Sequence, residues 1–195
     1  MSWTPWNGSI ADLATLGESP LSDGMLGEWV EQQTVALADL PALAALFGKD
    51  DPHLQEAGVE LATALLRSAG PGDRGTVRAA LEPALVTLVK PGMDPYVVEA
   101  VAILLDEHPL PSVIAALARQ HLEEPAPARG RFIMRNRMPQ GWMRLEQLYA
   151  RLALAAGDTP AARDLAYLPV LEARYGTRGW QATRDAISRE TDMRR

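Results

Sequence analysis

Asp94-Pro95-Tyr96-Val97-Val98-Glu99-Ala100-Val101-Ala102-Ile103-Leu104-Leu105 is the stretch around which the chain is organised. Asp94 stands where a helix is capped, and Pro95 where its first turn needs no amide donor. Val97, Ala100, Val101, Leu104 and Leu105 form one apolar stripe. Val98, Ala102 and Ile103 cover much of the remaining circumference. A helix apolar on nearly every side has to be enclosed on nearly every side. Crossing a bilayer takes about 20 apolar residues, so this segment belongs inside protein, and the rest of the chain supplies its cover.

Working outward, the other segments are also helical. A helix is expected over about 21–38, with Leu21, Met25, Trp29 and Val30 inward. A short one runs from Leu40 to Phe47 after Asp39, and Gly48 ends it. Asp51-Pro52 opens a helix to about Ala69. Leu54, Ala57, Gly58, Leu61, Ala62 and Leu65 share its inner face; His53, Gln55, Glu56, Glu60, Thr63 and Arg67 lie opposite. Gly70 to Gly75 is a turn, Thr76 to Val89 a helix, and Lys90-Pro91-Gly92 a break. Pro111 starts a helix with Leu110, Val113, Ile114, Leu117, Ala118 and His121 inward. Gln140 to Ala156 is amphipathic, with Leu145, Leu148, Tyr149, Leu152 and Ala156 in register. A further helix follows Asp158-Thr159-Pro160 to about Tyr175, kinked at Pro169. The final one holds Trp180, Thr183 and Ile187. No segment reads as a strand, so the expected class is all-α.

The domain expectation is an irregular N-terminal arm over 1–20, pinned by Trp3 and Trp6, and a single α-helical domain over 21–195. Within it lie an acidic part (21–124), a linker and basic segment (125–139), and C-terminal helices (140–195). The 195-residue chain has a net charge of −6 that hides an asymmetry. Residues 1–125 carry 6 basic and 18 acidic side chains, and residues 126–195 carry 13 and 7. Such a split points to a polyanion-binding end, or to two faces that meet each other or a partner. Of the basic residues 17 are arginine and 2 lysine, a preference that suits carboxylate and phosphate equally. The absence of cysteine excludes disulfides, thiolate chemistry and Cys-based zinc sites. The first twenty residues lack a secretory pattern, so the expectation is a soluble, cytoplasmic protein without a membrane span.

Asp51-Pro52-His53-Leu54-Gln55-Glu56-Ala57 recurs as Asp94-Pro95-Tyr96-Val97-Val98-Glu99-Ala100, an offset of 43 residues. At the same offset Leu61 falls on Leu104, Leu43 on Val86 and Leu46 on Val89. Each copy is a helix, a break, an Asp-Pro cap and a second helix, and each pair leaves an apolar face for its neighbour. The Asp-Pro-x-[Leu/Val]-x-Glu-Ala opening and the period resemble the HEAT repeat family over residues 40–108, extending towards 122. Gln55 and Val98 depart from that family, which often has arginine there. Leu154 to Arg163 is similar to the turn of a tetratricopeptide repeat. The resemblance implies stacked antiparallel helix pairs, a HEAT-like α-solenoid; an irregular helical bundle is the alternative. It implies a surface that binds protein, or sometimes nucleic acid, and it brings no catalytic residues.

No phosphate loop, nucleophile elbow or paired-histidine zinc motif is present. His108 and His121 bound the same helix and lie about 15–20 Å apart at 1.5 Å per residue. No catalytic, metal or cofactor site is therefore expected, and each histidine reads as a cation at a helix C-terminus. The most suggestive segment is Arg129, Arg131, Phe132, Arg135 and Arg137, with Trp142 and Arg144 following. Basic residues interleaved with aromatics suit a phosphate backbone and stacked bases. They suit equally a protein interface, where Met, aromatic and Arg residues gather. Two plainer readings stand beside these: core packing with solvated arginine heads, and pairing with the chain's own acidic half. Glu56, Glu60, Glu99, Asp106 and Glu107 read as a solvated acidic face.

The expectation is a non-enzymatic protein-binding module, an adaptor or inhibitor-type partner of bacterial style by its Arg- and Ala-rich composition. The first alternative is nucleic-acid binding through Arg129–Arg144. The second is an enzyme of the HEAT-like DNA glycosylase type, which needs a carboxylate and aromatic residues such as Trp142 or Trp180 in a basic cleft.

Overall fold

The computed structural model describes residues 6–21, 23–123 and 140–195. Among them it is all-α, with no strand. The helices are α1 (Ile10–Thr15), α2 (Asp23–Glu31), α3 (Leu40–Phe47), α4 (Pro52–Ser68), α5 (Arg74–Leu88), α6 (Pro95–Glu107), α7 (Pro111–Glu123), α8 (Gln140–Ala156), α9 (Pro160–Arg163), α10 (Leu168–Tyr175) and α11 (Trp180–Met193). Trp3 and the expected linker and basic segment over 125–139 lie outside the described residues.

The helix starts follow from local chemistry. Asp51 accepts from the His53 amide at 2.9 Å, and Asp94 accepts from the Tyr96 amide at 2.9 Å. The two Asp-Pro starts thus share one cap geometry, with proline where no donor is lost. Within the stretch expected to be an irregular arm, α1 opens with a reciprocal cap. Ser9 Oγ accepts from the Asp12 amide, and the Asp12 carboxylate accepts from the Ser9 amide. Ile10 and Leu13 of α1 are buried in the common core, and Trp6 packs against Trp29 with ring centroids 5.0 Å apart.

Three expectations need correction. The helix expected over about 21–38 ends at Glu31: Gln33 Nε2 caps the Trp29 carbonyl at 3.1 Å, and Val35 turns into the core. A 3-10 turn follows at Leu37–Asp39. The Pro169 kink is instead a new helix start. α9 stops at Arg163, and α10 begins with Pro169 in its first turn, where a proline costs no hydrogen bond. Gln55 and Thr63, expected outward, are buried; they satisfy themselves on the Lys49 and Val59 carbonyls. The helix expected over 76–89 is found as α5, which continues through Pro83.

Packing alternates along the chain. α1 meets α3, α3 meets α5 and α5 meets α7; α2 meets α4, α4 meets α6 and α6 meets α8. α3 and α4 also pack face to face, and α6 is held between α4 and α8. Val97, Val98, Ala100, Val101, Ala102, Leu104 and Leu105 of α6 are all buried, as its composition requires. Beyond α8 the pattern is mixed: α10 packs on α8, two places back, but also on α7, and α11 packs on α8 and α10.

α6 and α8 run in the same direction. Gly141, at the start of α8, lies against Val98 and Glu99, near the start of α6; further along both helices, Arg151 pairs with Asp106. The approach at Gly141 is close enough that a Cβ there would stand 2.6 Å from the Glu99 amide nitrogen. Gly58 serves α4 similarly, where a Cβ would meet the Leu46 Cβ at 2.9 Å.

Candidate interaction clefts

Arg129, Arg131, Phe132, Arg135 and Arg137 lie outside the described residues. The two remaining members of that segment part company. Trp142 is half-buried, its ring centroid 4.6 Å from that of His121, whose Nε2 stands 3.6 Å from Glu146 Oε1. Arg144 turns the other way, to Glu99 on α6, with Nε 3.3 Å from Oε1. Pairing with the chain's own acidic half is therefore what Arg144 does, and Arg151 repeats it with Asp106. Arg67 of α4 completes the seam with a two-pronged bond to Glu107 at 2.6 and 2.5 Å. That fork holds the Glu107 carboxyl below its ordinary range.

Beneath Trp142 lies an aromatic cluster. Tyr149 of α8 is fully buried and stacks on Tyr167, with centroids 5.1 Å apart and an interplanar angle of 13°. The Tyr149 hydroxyl has no hydrogen-bond partner among the described residues. Burial, then the charge of Glu146, pushes its pKa up; burial alone takes Tyr167 to about 12. Both rings stay neutral and structural.

Glu146 also faces a cleft of about 480 Å³ between α8, α10 and α11. One wall is a ladder of charge. Arg174 Nε donates to Glu146 Oε2 at 3.1 Å, Arg174 Nη2 stands 3.8 Å from Glu190 Oε1, and Glu190 pairs in turn with Arg194. Arg174 is thereby fixed, and its guanidinium carbon lies 5.6 Å from the centre of the Tyr175 ring. Arg151 and Arg195 also line this cleft; Arg151 is committed to Asp106, which leaves three guanidinium groups, of Arg174, Arg194 and Arg195, against two carboxylates. The apolar lining is Met143, Ala150, Leu154 and Tyr175, with Met143 exposed.

Another cleft, of about 380 Å³, lies between α2, α4 and α6. Gly27, Ala64 and Ala100 give it a shallow floor, and Glu31 and Glu60 stand at its edge. Partial loss of water, then the charge of Glu31, raises the Glu60 carboxyl above its ordinary value. Arg67 lines the same cleft but is committed to Glu107.

His108 ends α6, with its backbone amide on the Leu104 carbonyl at 2.8 Å. Its surroundings do not favour the cation expected there. Burial lowers its pKa first; Glu107 opposes, and the charges of Arg78, Arg74 and Arg67 lower it further. Among the described residues no group of three metal-binding side chains gathers, and no helix is long and apolar enough to cross a membrane. Trp180 is buried in the core and lines neither cleft.

Arg174, Glu190 and Arg194 were missed in the sequence. Their only signal was mixed charge on the last two helices, and their meeting depends on how α10 and α11 turn back onto α8. The chain matches no model of a known protein family, no characterised protein and no solved structure.

Proposed function

We propose that this chain is a non-enzymatic protein-binding module, an adaptor or inhibitor-type partner of the cytoplasm, built as a HEAT-like stack of helix pairs. The observation that supports it is the row α2–α4–α6–α8, in which each helix meets the one two places on and a cleft is cut at either end. A row of this kind offers an extended surface whose shape is set by packing, and stacked repeats use such surfaces to bind. The shared cap of the two Asp-Pro starts, 43 residues apart, supports the repeat. Recognition would combine shape with charge, using the row and the basic segment that includes Arg131, Arg135 and Arg137.

The test is recovery of the tagged chain at low salt from lysate of its own source, with mass spectrometry of what stays bound. A stoichiometric protein that leaves when Arg131, Arg135 and Arg137 are changed to glutamate, or when Ala64→Arg blocks the α2/α4/α6 cleft, is the expected result. Retention of nuclease-sensitive nucleic acid alone would overturn it.

Nucleic-acid contact is the second reading, favoured by the four arginines of the α8/α10/α11 cleft. Its signature is affinity that falls steeply with salt as released counterions lose their advantage.

A further inference from the structure

We infer that the cleft between α8, α10 and α11 is the docking site for an acidic, amphipathic segment of a protein partner. The inference deepens the protein-binding proposal and rests on it.

Charge selects the occupant. The cleft's two carboxylates, Glu146 and Glu190, are spent on holding Arg174 between them. Arg174 is the least exposed arginine there, with 26% of its side chain accessible, so it is positioned before any ligand arrives. A guanidinium carries five N–H donors, more than its Glu146 and Glu190 contacts consume. Arg194, paired with Glu190, sits at the rim with 65% of its side chain exposed, and Arg195 is exposed beside it, whereas Arg151 is held by Asp106. A pre-oriented guanidinium with more at the rim suits carboxylates, which accept two parallel N–H bonds at once.

Apolar contact selects the shape. Met143, Ala150 and Leu154 lie two turns and then one turn apart on one face of α8 under the cleft, with the polar Gln147 between the first two. On α6 the corresponding side is covered by α8, whereas α8 is only partly covered by α10 and α11. A segment with apolar residues one turn apart and acidic residues beside them would lay the first on this face of α8 and the second against the arginines. The chemistry of the α2/α4/α6 cleft, with its two carboxylates, excludes such a ligand there.

The test measures fluorescence anisotropy with a labelled twelve-residue peptide of leucine at helical spacing and glutamate elsewhere. A polyglutamate peptide of equal charge and a single-stranded oligonucleotide are the comparison probes. The double variant Gln147→Glu with Arg195→Glu alters two exposed positions, and circular dichroism checks its fold. The expected result is binding of the amphipathic peptide that weakens at least tenfold in the double variant, is unchanged in Glu60→Gln, and exceeds that of polyglutamate. Equal affinity of the double variant, no binding of the peptide, or a preference for the oligonucleotide would each overturn the inference. A protein partner captured from lysate but insensitive to the double variant would sink this cleft while leaving the protein-binding proposal standing.

Discussion

The clefts at the two ends of the α2–α4–α6–α8 row are of similar size and opposite electrostatic design. At the α2/α4/α6 end, Glu31 and Glu60 face each other, and no cation among the described residues is paired with either. At the α8/α10/α11 end, both carboxylates lining the cleft already hold an arginine, and with Arg151 held by Asp106 one guanidinium group, that of Arg195, remains in excess. Between them, the seam of Glu99 with Arg144, Asp106 with Arg151 and Glu107 with Arg67 is neutralised in place. The chain's charge asymmetry is therefore consumed where helices meet and left over at the ends. Surplus charge of opposite sign at two places on one frame is what a binding surface needs if it is to orient its partner.

The comparison breaks most thoroughly if α6 is weakened, since it is shared between the acidic cleft and the seam. Leu104 is fully buried, and Leu104→Ala is expected to lower stability by about 2–5 kcal/mol, read as a fall in the urea midpoint. A loss smaller than that of an exposed substitution would show that α6 is not the centre of the core. Gly141→Ala comes next. Its Cβ would stand 2.6 Å from the Glu99 amide nitrogen and push α8 off α6, at an expected cost of about 1–3 kcal/mol. Unchanged stability there would mean the two helices do not approach so closely.

Smaller effects sharpen the contrast. A double-mutant cycle on Glu99 and Arg144 should give a coupling of about 0.2–1 kcal/mol that shrinks with added salt, because the arginine is half exposed. Zero coupling at low salt would remove the seam from the account. Smallest is Glu60→Gln. The folded-state pKa of Glu60 lies above its ordinary value, so its ionised form opposes folding at neutral pH, and the penalty fades as pH falls through that raised pKa. The substitution should stabilise by a few tenths of a kcal/mol at pH 7. The gain should vanish in acid, and a gain that persists there would mean that the carboxyl is not strained by Glu31.

Much of this frame was legible in the sequence because the signals were local. Asp51-Pro52 and Asp94-Pro95 announce helix starts through side chains that reach only two residues along, and the all-round apolar pattern of α6 demands its enclosure. What escaped was set by how the chain packs rather than by a local motif. The end of α2 depends on Gln33 bonding back to Trp29 while Val35 finds the core. Pro169 fits a kink and a helix start equally well until the chain on both sides is placed. Arg144 was legible as a binding residue, but only the parallel approach of α8 and α6 shows that it serves Glu99. The arginine-rich cleft was invisible, because Arg151, Arg174 and Arg194 come from three helices and share no motif.

The most direct measurement is hydrogen exchange of the full chain, with and without the acidic amphipathic peptide, resolved by segment. The account predicts slowed exchange in α8, α10 and α11, with α2 and α4 unchanged. Slowing confined to α2, α4 and α6, or none at peptide concentrations that saturate the anisotropy signal, would contradict it.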